Sequence, residues 1–413
     1  MNERYEMIKA LPDMLSGREL IQHLAVLPEY DETIREASTT ERLMALSDLY
    51  QVYIPSQMSL EIYSKLYLSF MRSLQKKGTK LAVRQQNENR KAILNQNYSG
   101  IMGGTDSFTI IGASGIGKSS AITRAIDLIA GDTIIEMKAP DTKILPVMVV
   151  QCPFDSSVKA LLLEILRKVD EALESKYYAN ALRSRATTDM LIGMVSQVAL
   201  NHIGLLVVDE IQNVVNSKNG KSLVGMLTQL INNSGISICM VGTPESAIFF
   251  EQAMQLARRS LGLRYGAMEY GADFYETCRI LFKYQFLKNE SQITDAIVEW
   301  LYEHSAGIIS VVVSLIHDAQ EMAILDESER LNLNSLNDAY QKRLSLLHSY
   351  IEPSIKKLSQ STKTVAESPA ADREVKDVEV DITISKLVTM AKAQSMDIVA
   401  LLKANELIEV IAV

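Results

Sequence analysis

The apolar positions of this 413-residue chain change their period twice, and each change predicts a change of architecture. Up to about residue 95 the sequence reads as helical and polar. Glu41–Tyr50 is one run, and after Pro55 the stretch MSLEIYSKLYLSFMRSL repeats large apolar residues at three- and four-residue spacing, the signature of a helix with one buried face. From Thr105 short β-rich runs alternate with helix-forming ones: SFTIIG, KSSAITRAIDLIA, ILPVMVVQC, VKALLLEILRKVDEAL, MLIGMVSQVAL, IGLLVVDE, SLVGMLTQLINN and ISICMVG. Such alternation predicts an α/β fold with a parallel sheet covered on both faces. After Ala272 the pattern is helical again, through QITDAIVEWLYEHS, a helix led by Gly307 to about Leu325, and SLNDAYQKRLSLLHSYI, which predicts a helical lid. The expected organisation is a helical N-terminal domain over 1–95, an α/β core over 96–288, a lid over 289–352, a polar linker over 353–381 and an apolar tail over 382–413. The tail reads as a docking segment for a partner in preference to one folded back on the core.

Length and composition narrow this further. The chain exceeds one average core, so a large domain with appendages is expected. With 47% hydrophobic and 22% charged residues, wholesale disorder, collagen and a disulfide scaffold are excluded. A net charge of -8 gives no global attraction for nucleic acid, so any DNA contact has to come from a local patch. One candidate is Arg72–Lys91, where Arg72, Lys76, Lys77, Lys80, Arg84, Arg90 and Lys91 face the single acid Glu88. This run either tracks a phosphate backbone or is a solvated helix face. Cys152, Cys239 and Cys278 are odd in number and lack CxxC spacing, so they read as reduced thiols, and the five histidines form no metal-ligand pattern. The acidic start lacks the apolar core of a signal peptide, and the longest mainly apolar stretch, Ala306–Ile316, is short of the ~20 residues that span a bilayer. A soluble cytoplasmic protein with no membrane partner is expected.

The chemistry lies in the alternating region. Gly112-Ala113-Ser114-Gly115-Ile116-Gly117-Lys118-Ser119 fits GxxxxGK[ST] in full, between a β-like run and a helix-forming one, with Ser120 following. Glycines let backbone N–H groups close around a β-phosphate, the helix start adds positive dipole, Lys118 bridges β- and γ-phosphates, and Ser119 ligates Mg²⁺. Leu205–Glu210 is an apolar strand ending in two acids: Asp209 is the expected Mg²⁺ partner and Glu210 the group that orients and polarises the attacking water of ATP hydrolysis. Thr243, ending the run ISICMVG, is placed to sense the γ-phosphate, although a threonine before Pro244 is also good turn chemistry. Downstream, Arg259 and then Arg258 are candidates for an arginine finger supplied to a neighbouring subunit, against the alternative of capping a helix end.

A P-loop, a strand ending in DE, a strand ending in Thr, paired arginines and a helical lid together resemble the AAA+ ATPases. More specifically the chain is similar to the TnsC/TniB transposition regulators, through YIPSQMSLEIYSKLY, YSGIMGGTDSFTIIGASGIGKSSAI, LLVVDEIQN, VGTPES and LARRS, over roughly Tyr98–Gln341. The resemblance implies an ATPase that oligomerises as a ring or filament, of hexameric or heptameric type, on double-stranded DNA. It implies a link between a TnsD/TniQ-type target selector, met by the N-terminal region, and a TnsB-type transposase, in some systems with a TnsA-type endonuclease. Hydrolysis then drives disassembly, and target choice by a DNA-binding protein or by a guide-RNA complex is equally compatible. One departure matters: the helix IISVVVSLIHDAQ lacks the arginine that many AAA+ proteins place there, so closure on ATP depends more on the neighbouring subunit.

DNA contacts are expected at the bases and hydroxyls of KYYANALRSRATT, where Arg183, Arg185, Thr187 and Thr188 precede a helix that Thr187 or Thr188 caps, and at Lys218 and Lys221. Two other classes stay open on the sequence: a helicase or initiator loader, which shares the ATPase parts but for which no winged-helix module is evident, and a nucleotide-gated scaffold that does not bind DNA.

Overall fold

The computed structural model describes residues 11–77, 79–102, 107–131, 133–138, 141–214, 217–247 and 261–345. The linker and tail, 353–381 and 382–413, lie outside the described residues, as do Arg258 and Arg259. Among the described residues the helices α1 (Gly17–Leu24), α2 (Thr39–Ala45), α3 (Gln57–Lys76) and α4 (Lys80–Ile93) come first. The alternating region follows with β1 (Phe108–Gly112), α5 (Lys118–Ile129), β2 (Ile135–Lys138), β3 (Asp141–Gln151), α6 (Val158–Leu173), α7 (Tyr177–Arg183), α8 (Thr188–His202), β4 (Ile203–Asp209), α9 (Gly220–Ser234), β5 (Ser237–Gly242) and β6 (Leu261–Tyr265). The lid helices are α10 (Ala272–Leu281), α11 (Asp295–Ser305), α12 (Ile309–Leu325) and α13 (Leu333–Arg343).

The described strands form one sheet in the order β2-β3-β4-β5-β1-β6, parallel except for the antiparallel β2–β3 pair. Strand β5 therefore separates β1 from β4, with Ile111 opposite Gly242 and Val208 opposite Met240. The turn after β5 thus emerges between the loop after β1 and the acids ending β4. The period of two along each strand sorts side chains to opposite faces. Leu205, Val207, Cys239 and Val241 join α1, α3 and α5 in one core, while Leu206, Val208, Ile238 and Met240 join α6, α8 and α9 in another. Burial on both faces explains why β1, β4 and β5 read as near-continuous apolar runs.

The cores divide the chain differently from the sequence boundaries. The helices before residue 95 have no large core of their own: α1 and α3 pack on the sheet, whereas Leu46 and Leu49 enter the core of the lid. Arg42, 1% exposed, ties α2 to the lid by two 2.7 Å bonds to the Glu329 carboxylate and one of 3.0 Å to Phe286 O. The lid core also takes in Phe274, Cys278 and Leu281 of α10, ahead of the boundary expected at 288. Periodicity marks a buried face but not the core that receives it.

The basic run of 72–91 likewise divides. Lys80, Arg84, Arg90 and Lys91 are exposed on α4, and Lys91 pairs with Glu88 at 2.6 Å. Lys77 is instead interior, 5% exposed, and its ammonium donates to Ala199 O (2.9 Å) and Leu200 O (2.6 Å), carbonyls of the last turn of α8. Lys77 is therefore a helix-end partner and leaves the candidate phosphate track. Burial pushes its pKa from the ordinary 10.5 down to about 7. The unfolded chain binds this proton more tightly, so the fold is penalised below about pH 7 and regains stability as pH rises toward 10.5. The expected slope is about 1.4 kcal/mol per pH unit at most. Thermal midpoints across this window should rise in the parent relative to a Lys77→Met chain, and parallel curves would contradict the assignment.

The three cysteines are free and buried, and burial raises each thiol, Cys152 to about 11 and Cys278 to about 12, which makes them inert packing residues. Among the described residues no single helix is long and apolar enough to cross a membrane.

Candidate nucleotide site

Strand β1 delivers the chain into the loop Gly112–Gly117, and α5 begins immediately at Lys118. Gly115 (φ +80°) and Gly117 (φ +93°) occupy the left-handed region, where a side chain is strained. At Gly115 space forbids one too: a Cβ would fall 2.2 Å from Ser310 Oγ. The loop thereby aims the free N–H groups of the first turn of α5 at the opening above the sheet. The Lys118 ammonium folds back across the loop and donates to Gly112 O and Ala113 O, both at 2.8 Å. Burial pushes its pKa down, against the opposing pull of Asp209, Glu210 and Glu245.

The acids at the end of β4 face this loop. Ser119 Oγ donates to Asp209 Oδ2 at 3.2 Å, and Asp209 Oδ1 accepts from Glu210 N at 2.8 Å. Glu210 has φ +56°, an uncommon conformation for a non-glycine residue, and its carbonyl accepts from Asn213 N at 3.1 Å to start the short helical turn Ile211–Val214. That conformation turns the carboxylate out into the cleft, where it accepts a hydrogen bond from Gln212 Nε2. Thr243 stands between the two walls. Its carbonyl accepts from Ser246 N (3.0 Å) and Ser246 Oγ (2.6 Å), which is the expected turn chemistry. Its hydroxyl bonds the Glu245 carboxyl, and this bond, a backbone bond and the Lys118 charge hold that carboxyl below its ordinary range.

Together Ser114, Gly115, Gly117, Lys118, Ser119, Ser120, Asp209, Glu210, Gln212 and Thr243 line a cleft of about 240 Å³. The structure thus brings the expected phosphate-loop, acid and Thr243 residues to one place. The Ser119 hydroxyl and Asp209 carboxylate, already 3.2 Å apart, are two hard oxygen donors at one point of the cleft, a pairing that fits Mg²⁺.

Sequence reasoning missed a second, largely apolar cavity of about 250 Å³ that shares Gly115, Gly117, Ser120 and Ser310 with the first. Its walls are Tyr53, Ile54 and Met58 before α3 and in its first turn, Ile116 of the loop, Leu281 of α10, and Ile309 and Val313 of α12. The stretch beginning YIPSQM was the available signal, but nothing local in it announces a cavity wall. The start of α12 is fastened to the loop by Ser310 N donating to Gly115 O at 3.1 Å, and serines 310 and 314 of this arginine-free helix line the cavity.

Arg183 ends α7, Arg185 sits in the following turn with φ +49°, and Thr187 caps α8 by accepting from Met190 N at 3.4 Å; Thr188 is the first residue of that helix. All four are exposed, as are Lys218 and Lys221 at the start of α9. Because α8 leads into β4 and α9 into β5, both parallel to β1, the two helix starts lie at the sheet edge that carries the phosphate loop. Phe154, after β3, is 91% exposed at the same edge.

Residues 93–263 match the family model described as bacterial TniB protein, a span that reaches from the last residue of α4 into β6 and includes the phosphate loop, both acids and Thr243. No curated protein matches the sequence at a significant level. Among solved structures, that of the Aeropyrum pernix ORC1 protein in complex with DNA is similar, with a TM-score of 0.40 and 14% identity over 80% of this chain and 78% of that one. The strand order is mostly parallel, with β5 between the phosphate-loop strand and the acid strand.

Proposed function

We propose that the chain, residues 93–263 of which match the family model described as bacterial TniB protein, is an ATP-hydrolysing AAA+ regulator of DNA transposition. In this reading it assembles on duplex DNA when ATP is bound and comes apart when ATP is cleaved. The observation that carries the reading is the gathering of Lys118, Ser119, Asp209, Glu210 and Thr243 around one cleft that continues into an apolar cavity. An ammonium and helix N–H groups suit the phosphates, and the apolar walls suit a flat base.

On binding, Lys118 exchanges the carbonyls of Gly112 and Ala113 for phosphate oxygens, which restores a full charge partner to a half-buried ammonium. Ser119 and Asp209 would hold Mg²⁺, which when bound would neutralise phosphate charge. Glu210 orients water and accepts its proton as the bond to γ-phosphorus forms and the bond to the ADP oxygen breaks. Thr243 turns its hydroxyl from Glu245 to the γ-phosphate. Arg259, or Arg258, of an adjacent copy completes the charge balance in trans, which makes hydrolysis a property of the assembly.

Arg183, Arg185, Thr187, Thr188, Lys218 and Lys221 contact duplex phosphates, giving an acidic protein a local basic edge without base reading. The ATP-bound assembly connects a TnsD/TniQ-type selector to a TnsB-type transposase, with a TnsA-type endonuclease where one exists. Replacing Arg183 and Arg185 together by Glu is expected to weaken binding to mixed-sequence duplex by about tenfold or more and to flatten the dependence of log affinity on log salt by roughly 2. ATP affinity should be unaffected. An unchanged affinity and slope would remove this edge from the DNA interface.

A further inference from the structure

Between Val26 and Tyr53 the chain leaves the body to which its flanks belong. Val26 N donates to Tyr53 O (2.9 Å) and Tyr53 N to Val26 O (2.8 Å), so the two ends of the segment close as an antiparallel bridge. On either side of that neck the chain packs with the sheet, through Leu20 and Leu24 of α1 before it and Tyr53, Ile62 and Leu66 after it. The segment itself goes to the lid: Tyr30, Ile34, Leu43, Leu46, Leu49 and Val52 all pack in the lid core. Polar bonds follow the same division. Tyr284 Oη donates to Pro28 O (3.1 Å), Tyr30 Oη donates to Gln285 O, Arg35 pairs with Glu290 at 3.2 Å, and the Arg42 guanidinium grips the Glu329 carboxylate and Phe286 O. Residues 27–52 are therefore a strap of the lid, although they precede the sheet in sequence.

The Arg42–Glu329 pair is not arranged for stability alone. A buried ion pair gains little over apolar side chains of the same volume. Here Arg42 Nε is also buried without a hydrogen-bond partner among the described residues, and Glu329 is presented from a backbone at φ +52°. What a bidentate pair does supply is a fixed orientation. The part it orients ends at the nucleotide site. Tyr50 and Val52, the last residues of the strap, line the apolar cavity together with Ile309 and Val313 of the lid, and Met58 and Ile116 complete it from the sheet side. The lid's share of the cavity is thus built in two pieces that are far apart in sequence, and the strap's bonds to the lid make them one body.

We propose that Arg42 is a positioning residue for the nucleotide: by locking the strap 27–52 to the lid it makes Tyr50 and Val52 move with α12, so that strap and lid close on the base together, hinged at the Val26–Tyr53 bridge. The inference rests on the ATPase reading and adds that the N-terminal segment answers to the nucleotide through the base. With the strap loosened, the Tyr50–Val52 wall has to be ordered each time a base enters, which costs affinity. A polyphosphate without a base is held by the phosphate loop and does not meet that wall.

The test is displacement of a ribose-labelled fluorescent ATP analogue from the full chain, by ATP and by inorganic tripolyphosphate, for the parent, Arg42→Met and Tyr30→Phe. Met fills much of the space and removes the guanidinium. Phe removes the Tyr30 hydroxyl and keeps the ring edge-on to Tyr284 and Phe286, so it gives the answer if Arg42→Met has lost its melting transition. Arg42→Met is expected to bind ATP about tenfold more weakly than the parent and Tyr30→Phe about threefold, while the affinity for tripolyphosphate stays at the parent's value in both. ATP affinities equal to the parent's in the folded variants, or tripolyphosphate weakened as much as ATP, would overturn the positioning role and leave the ATP site standing. A parent that binds neither ATP nor tripolyphosphate overturns the ATPase reading and the strap's role with it.

Discussion

A Lys118→Ala chain is expected to lose measurable ATP binding at concentrations that saturate the parent. The charge-assisted contacts of one ammonium to two phosphates account for at least ~3 kcal/mol, about a hundredfold in affinity. The loop itself should survive. Its shape is set by Gly115 and Gly117 at positive φ and by the bond from Ser310 N to Gly115 O, none of which involves the lysine side chain. The lysine's two carbonyl bonds stabilise the unliganded loop only modestly, since the ammonium gives up hydration to make them. Titration with a fluorescent ATP analogue, beside a melting curve of the nucleotide-free chain, checks both halves. Retained affinity would mean that the ammonium does not meet phosphate.

Glu210→Gln is expected to do the opposite: to keep ATP binding and cut hydrolysis by roughly 10² to 10⁴, the range for loss of a positioned general base. The substitution is close in shape, so it leaves the φ +56° turn, the bond from Glu210 N to Asp209 Oδ1 and the start of the Ile211–Val214 turn as they are. With ATP and Mg²⁺ the variant should remain on duplex DNA after the parent has dissociated. Dissociation as fast as the parent's would sever hydrolysis from disassembly, while turnover close to the parent's would remove Glu210 from its role.

The residues of the cleft were legible in the sequence because each motif carries its own geometry. Gly112–Ser119 is a contiguous loop between a strand and a helix, and Asp209-Glu210 and Thr243 each end an apolar strand, so the parallel sheet needed only to place three strand ends side by side. The rest depends on tertiary placement that no local pattern encodes. The apolar cavity is assembled from Tyr53, Ile116, Leu281 and Val313, which meet only when the lid folds over the loop. Lys77 looks like its neighbours in a basic run, yet it is the one carried to the end of α8 and buried. Leu46 and Leu49 carry no mark that sends them to the lid core rather than to the sheet.

The central claim is that nucleotide in this cleft governs assembly on DNA. Negative-stain imaging of the purified protein with duplex DNA and a non-hydrolysable ATP analogue, beside the same sample without nucleotide, tests it most directly. The account predicts rings or filaments encircling the duplex in the first sample and their absence in the second; particles that look the same with and without DNA and nucleotide would contradict it.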